Sequence, residues 1–257
     1  MNMRHADRLD LERFLDRLLS RSILTDAEQE AILDLPAHLA EIKANRDFVG
    51  LRETVDHASL VVDGMIGRFD QNRNGLRQIT AIHLPGDMAN LHSVVQPQAT
   101  SALQALSITT ILRVPHAAIR TATAEFPAIA EALWRDCMVD AAVLSQWIIN
   151  VGRRDAQSRI AHLLCEIATR LRAPTVSGSF TFRFGVTQFQ VADAAGLTSV
   201  HVNRVLRGLR EQGLVDVRKT EVRVLDWAGL VAVGEFNKNY LQTEILPEER
   251  LRILSPA

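Results

Sequence analysis

Cysteine occurs only twice in 257 residues, at Cys137 and Cys165, tyrosine occurs once, and the aromatics together reach only 5%. Two thiols so far apart, each inside an apolar pattern of helical spacing, build neither a disulfide framework nor a thiolate metal cluster, and they read as buried free thiols. Charge interrupts every apolar stretch before the roughly 18 to 20 residues needed to span a bilayer. The opening decapeptide MNMRHADRLD has no apolar centre of a signal peptide, so a cytoplasmic protein without membrane contact is expected. A phosphate-cradling Gly-rich loop, a nucleophile elbow and a histidine–carboxylate motif are also missing, which leaves no catalytic residue to name. His57, His83, His92 and His116 show no ligand spacing such as two histidines one helical turn apart, so neither a metal nor a cofactor is expected.

Net charge is nearly absent too, at −1, but the balance hides an asymmetry. Residues 1–152 hold 14 Lys/Arg against 19 Asp/Glu, residues 153–223 hold 12 against 6, and residues 224–257 hold 3 against 5. A length of 257 with 47% hydrophobic residues suits two modest domains, one of them basic. Residues 8–45 carry helical spacing (Leu11, Phe14, Leu15, Leu18, Leu19), with Thr25 and Glu28 as a capping box for a second helix ending near Pro36. From about residue 47, short β-rich runs alternate with Asp-Gly, Asn-Gly and Pro-Gly turns, the pattern of a small barrel or roll. After Pro127, Ala130, Trp134, Cys137, Ala141, Leu144, Ile148 and Val151 recur at alternating spacings of four and three. Such a seam fits a helix packed against a copy of itself, or one lying on its own domain. Gly152, Arg153 and Arg154 break it before Asp155 caps the next helix.

The stretch TQFQVADAAGLTSVHVNRVLRGL, residues 187–209, carries the densest signal. Thr187 and Gln190 form a capping box, Ala192 permits a close helix crossing, Gly196 suits a tight turn, and Thr198 caps a helix from Ser199. Val191, Ala195, Leu197, Val202, Val205 and Leu206 close a core between the two helices, the plan of a helix-turn-helix. The second helix then offers Ser199, Val200, Asn203, Arg204 and Arg207 to the outside, where a recognition helix enters the major groove. Arg204 can fork to guanine, Asn203 can meet adenine or a phosphate, and Val200 can touch a thymine methyl. His201 either contacts the DNA backbone or packs, and the arginines alone would also suit a solvated face. Thr187, Gln188 and Thr198 at the helix starts complete the expected DNA-facing set. Past this helix, LVDVRKTEVRVLD alternates on both sides of Lys219-Thr220 as a hairpin does, a wing whose Arg218, Lys219 and Arg223 can neutralise phosphates of double-stranded DNA.

These residues, with GRRDAQSRIAHLL before them, resemble the DNA-binding part of the Crp/Fnr superfamily of bacterial transcription regulators, and GMIGRF, GLRQITAIHLPGD and TTILRVP resemble its β-roll. The resemblance implies an α+β chain: an N-terminal β-roll (cyclic-nucleotide-binding-like jelly roll) with a helical lead-in over 1–126, a dimerisation helix over 127–152, and a winged helix-turn-helix over 153–257. It further implies a homodimer on a near-palindromic operator, surface patches for RNA polymerase, and a small-molecule effector that the residues do not name. Cyclic-nucleotide-binding members place a glutamate and an arginine after the Pro-Gly-Asp turn. Here the aligned positions are Asn90, Leu91, Thr100 and Ser101, so the charge-assisted partners of a cyclic phosphate are gone and cyclic nucleotide binding is not expected. The first cysteine stands at 137, which removes the N-terminal cluster of the oxygen-sensing members. The rival reading is a ligand-binding roll or an enzyme whose winged helix is a protein-interaction module.

Overall fold

A computed structural model of the chain describes residues 3–173, 179–243 and 245–253. Helix α1 spans Met3–Leu19 and α2 spans Asp26–Leu33. The capping box at α2 is formed: the Thr25 amide donates to Glu28 Oε2 at 2.7 Å, and Thr25 Oγ1 accepts from the Glu28 amide at 3.4 Å. Helical spacing does not persist to residue 45 as the sequence suggests, because His38–Ile42 is a strand, β1, paired antiparallel with β7, Thr109–Pro115. Pro36 stops the helix, and partners more than sixty residues away turn the next segment into a strand.

The remaining roll strands are β2 (Asp47–Val49), β3 (His57–Asp63), β4 (Ile66–Gln71), β5 (Arg77–His83) and β6 (Ala102–Ala105). They form two sheets, ordered β1-β7-β3 and β2-β6-β4-β5. Strand periodicity sorts the core. Val61 and Ile111 point between the sheets, meeting Ile42, Val49, Ile66 and Leu103. Their neighbours Leu60 and Leu112 face the other way, into a cluster with Leu11, Phe14 and Leu18 of α1 and Ile129 and Leu133 further along the chain. Burying each such side chain is worth about 1.5–3 kcal/mol, which holds α1 on the roll.

A short helix α3 (His116–Glu125) leads into α4, a 27-residue helix over Pro127–Arg153, then α5 over Ala156–Arg170. Asp155 caps α5 as its position suggests, accepting from the Gln157 and Ser158 amides at 2.9 Å. Strand β8 (Phe180–Arg183), α6 (Gln188–Ala195), α7 (Ser199–Glu211), β9 (Val215–Arg218), β10 (Glu221–Val224) and α8 (Trp227–Val233) follow, and the short 3-10 helices Lys238–Leu241 and Pro247–Glu249 come after them. The chain clusters into two compact units, one of residues 1–68, 83–141 and 242–257, the other of 69–82 and 142–241. Among the described residues no helix is long and apolar enough to cross a membrane.

Candidate nucleic-acid interface

The helix-turn-helix closes as its sequence dictates. Thr187 Oγ1 accepts from the Gln190 amide at 3.2 Å while Gln190 Oε1 accepts from the Thr187 amide at 2.7 Å, so α6 starts with both exposed donors satisfied. Gly196 ends it at φ +62°, where a side chain other than Asn or Asp would strain the turn. Thr198 Oγ1 accepts from the His201 amide at 3.2 Å and starts α7. Val191, Ala192, Ala195, Val202 and Val205 are buried, whereas Leu197 and Leu206 are only half-buried and Leu209 takes a core place that the spacing argument did not assign. The C-terminal carbonyls of α6 are held as well: Ala195 O accepts from Arg159 Nη1 at 2.7 Å and Ala194 O from Gln78 Nε2 at 3.1 Å.

With that core closed, α7 turns Val200, Asn203, Arg204 and Arg207 to solvent, and Val200 is 79% exposed. Ser199 and His201 are half-buried, while Thr187, Gln188 and Thr198 are exposed. The structure links two of these positions directly, because Asn203 Nδ2 donates to Gln188 Oε1 at 3.3 Å. Phe189, 73% exposed between Gln188 and the buried Gln190, belongs to the same surface and was not singled out by sequence. An aromatic at the second position of a capped helix reads as core by composition, and only the orientation of α6 turns it outward.

The wing has three strands in the order β8-β10-β9, one more than the hairpin alone. Phe180 and Phe182 of β8 are buried and its Thr181 and Arg183 exposed, so the alternation was present but only four residues long. In the strand register Arg183 lies opposite Glu221, and Glu221 opposite Arg218. Arg218 also donates to Asp216 at 2.7 Å, so carboxylates temper the arginines on this face. Lys219 sits at the tight turn itself, exposed, with φ +51°.

Behind the interface lies a buried polar knot. The carboxylate of Glu166 on α5, fully buried, accepts from Trp147 Nε1 at 3.0 Å and from the Tyr240 hydroxyl at 2.8 Å, and it pairs with Arg170 at 3.1 Å. Beside it, His162 Nδ1 meets Gly234 O at 3.1 Å, and burial and the charge of Arg154 lower its pKa to about 4, so the imidazole stays neutral. Gly234 is required there, since a Cβ would stand 2.7 Å from the His162 amide nitrogen. Trp147 belongs to α4 and Tyr240 to the chain after α8, so the knot fastens three segments around the helix-turn-helix.

Along α4, the chain's own core takes Ala128, Ile129, Ala132, Leu133, Val139, Val143 and Trp147. The opposite face leaves Trp134 67%, Leu144 39% and Ile148 63% exposed, together with Ala141. The other seam positions, Ala130, Cys137 and Val151, are half-buried, and Cys137 packs on the protomer's own cluster. Met138, outside the predicted seam, is exposed in its place. A strict four-three alternation drifts by about 20° per heptad around a straight helix, so the open stripe and the counted one diverge.

In the roll, Asn90 is buried and structural: its Oδ1 accepts from the Ser59 amide at 2.8 Å, and its Nδ2 donates to His57 O and to Ser93 Oγ, both at 3.0 Å. Leu91 is buried, Ser101 half-buried and Thr100 exposed. Nearby, Arg68 donates to Ala89 O at 2.7 Å, and Arg17 on α1 binds Asp87 at 2.7 Å and Asp136 at 2.6 Å. Asp140, 3.5 Å from Arg17 and 3.9 Å from Arg68, has its pKa pushed up to about 6 by burial despite Arg17, with Asp136 adding to the rise.

An aspartate in the unfolded chain titrates near 4, so between about pH 4 and 6 the folded state holds this proton and the unfolded state does not. The stability that Asp140 contributes is therefore greatest in acid and is lost as pH rises through about 6. Asp140→Asn is expected to stabilise the protein by about 1–2 kcal/mol at pH 7.5, discounted for the quarter of the side chain still exposed, and to make little difference at pH 4. Urea unfolding at the two pH values reads this directly, and an equal effect at both would refute it.

Residues 158–233 match the Crp-like helix-turn-helix domain. Over 207 residues, 80% of this chain and 84% of the other, the sequence is 24% identical to the transcriptional activator protein FnrA of Stutzerimonas stutzeri. It is 26% identical to the nitrogen fixation regulation protein FixK of Azorhizobium caulinodans over 74% of this chain and 75% of that one. The fold is similar to that of FixK2 from Bradyrhizobium japonicum, with a TM-score of 0.70 at 24% identity, covering 77% of this chain and 98% of that one. It is also similar to a mutant CooA from Carboxydothermus hydrogenoformans, with a TM-score of 0.63 at 18% identity over 84% and 93% of the two chains.

Proposed function

We propose that this chain is a DNA-binding transcription regulator of the Crp/Fnr type that binds near-palindromic duplex DNA as a homodimer, each protomer laying α7 in one major groove. The observation that supports this most is the open side of α7, where Val200, Asn203, Arg204 and Arg207 face solvent from an otherwise closed helix-turn-helix. Arg204 forks to a guanine edge, Asn203 is steadied by Gln188 towards adenine or a phosphate, and Val200 meets a thymine methyl. Two such helices related by a two-fold axis read half-sites about one helical turn, roughly 34 Å, apart. The apolar stripe of α4 supplies the pairing face. The protein works in the cytoplasm, touches RNA polymerase through surface patches, and performs no chemical step of its own.

A gel shift with the DNA upstream of its own coding sequence, alongside selection of bound genomic fragments, tests this reading. Saturable binding to a shared inverted repeat is expected, and equal binding to random duplex would overturn it. In the same assay Lys219→Ala should weaken specific and non-specific DNA alike and reduce the salt slope by about one unit for each phosphate left without its cation, because a lysine–phosphate pair positions without specifying. A change of preferred base at any position would instead make Lys219 a reader.

The sensor ligand in this reading is not a cyclic nucleotide. Asn90 spends its amide on Ser59, His57 and Ser93, and neither it nor Leu91 offers a charge to a ribose or cyclic phosphate. Calorimetry with cyclic AMP and cyclic GMP should therefore register no binding at micromolar concentrations, and binding that enhances DNA affinity would reverse the assignment.

A further inference from the structure

The match to the helix-turn-helix domain ends at residue 233, yet the chain continues and makes specific contacts far from that domain in sequence. From Gln242 onward it clusters with the N-terminal unit. Leu251 forms a parallel bridge with Ser22: its amide donates to Arg21 O at 3.1 Å and its carbonyl accepts from the Ile23 amide at 3.2 Å. Arg252 then forks onto Glu28, Nη1 to Oε2 at 2.7 Å and Nη2 to Oε1 at 2.8 Å, and Nη1 also reaches Ile23 O at 3.2 Å. The Ile253 amide donates to Glu131 Oε2 at 3.0 Å. Arg252 and Glu28 are largely buried, at 13% and 6% side-chain exposure, whereas Leu251 and Ile253 point outward. Recognition therefore rests on the backbone and on one bidentate guanidinium–carboxylate pair, the strongest and most directional contact available to an extended segment.

We propose that residues 21–24 with Glu28 and Glu131 form a docking groove for an extended peptide bearing one arginine, and that the chain's own residues 250–253 occupy it. The fastening is reversible, because the contacts are few and are sustained by the high effective concentration of a tethered segment.

DNA-free, full-length protein serves for the test, so its failure says nothing against the regulator reading, and failure of that reading leaves the test intact. In the Arg252→Glu protein, hydrogen exchange at the Leu251 and Ile253 amides should quicken at least tenfold, with Arg252→Lys between it and the parent, while the Val202 amide in the recognition helix is unchanged. A fluorescent peptide of residues 245–257 should bind the Arg252→Glu protein saturably by about 1 mM and the parent, whose groove is filled, at least tenfold more weakly. The same peptide carrying Arg252→Glu should bind neither. Unchanged exchange, or no difference between the two peptides, overturns the groove.

Discussion

Leu144→Glu is expected to convert the proposed homodimer into folded monomers at micromolar concentration. Leu144 lies on the open face of α4, 39% exposed in the protomer and in line with Trp134, Ala141 and Ile148. Within one protomer a glutamate there reaches water and leaves the fold intact. In a two-fold dimer the same position occurs twice across one seam, so two carboxylates are desolvated together at a cost of several kcal/mol each. Val143→Glu provides the contrast, because Val143 faces the protomer's own core and its replacement should unfold the chain. Sedimentation of the Leu144→Glu protein, with its helical content verified by circular dichroism, distinguishes the outcomes. A folded variant that sediments as an unchanged dimer would move the interface away from α4.

Arg204→Ala should cost about 1–3 kcal/mol per half-site on the preferred operator and relax the choice of base at one position in each half. Because a symmetric dimer makes the contact twice, the total reaches about 2–6 kcal/mol, a loss of between tens and tens of thousands of fold in affinity. Arg204 is exposed on α7, outside the Val202, Val205 and Leu209 core, so the fold should survive the change. Competition binding against a panel of single-base operator variants, on protein shown to be dimeric, gives the answer. If Arg204→Ala weakens every sequence equally and leaves all base preferences intact, Arg204 is an anchor, and reading passes to Ser199, Val200 and Asn203.

The helix-turn-helix was legible because its determinants are local. Thr187 with Gln190, Gly196 and Thr198 act on backbone groups two to four residues away, and the alternation of core and open positions on α7 stems from the helical period alone. The third wing strand was not legible. Phe180–Arg183 is four residues long and becomes a strand by pairing with β10, forty residues further on. β1 was hidden for the same reason, as Leu39 and Ala40 sit in a context that propensity reads as helical until β7 lies beside them. In the roll, the missing glutamate and arginine could be read directly, but the role Asn90 took instead required the positions of His57, Ser59 and Ser93 around it.

The sequence by itself determined the helix-turn-helix with its exposed arginines, the basic balance of residues 153–223 and the absence of thiol clusters, because each depends on composition or on contacts within about one helical turn. Only the tertiary structure decided which stripe of α4 stays open, with Met138 outward and Cys137 turned in, since that depends on where the roll core takes its share of the helix. It alone brought Arg252 to Glu28 across 224 residues of chain and Tyr240 to Glu166 across 74. A periodic pattern specifies that a side chain has a buried or an exposed place. Which partner fills that place is set by the whole packed chain, through contacts whose loop-closure cost rises only slowly with separation and which therefore leave no local trace in the sequence.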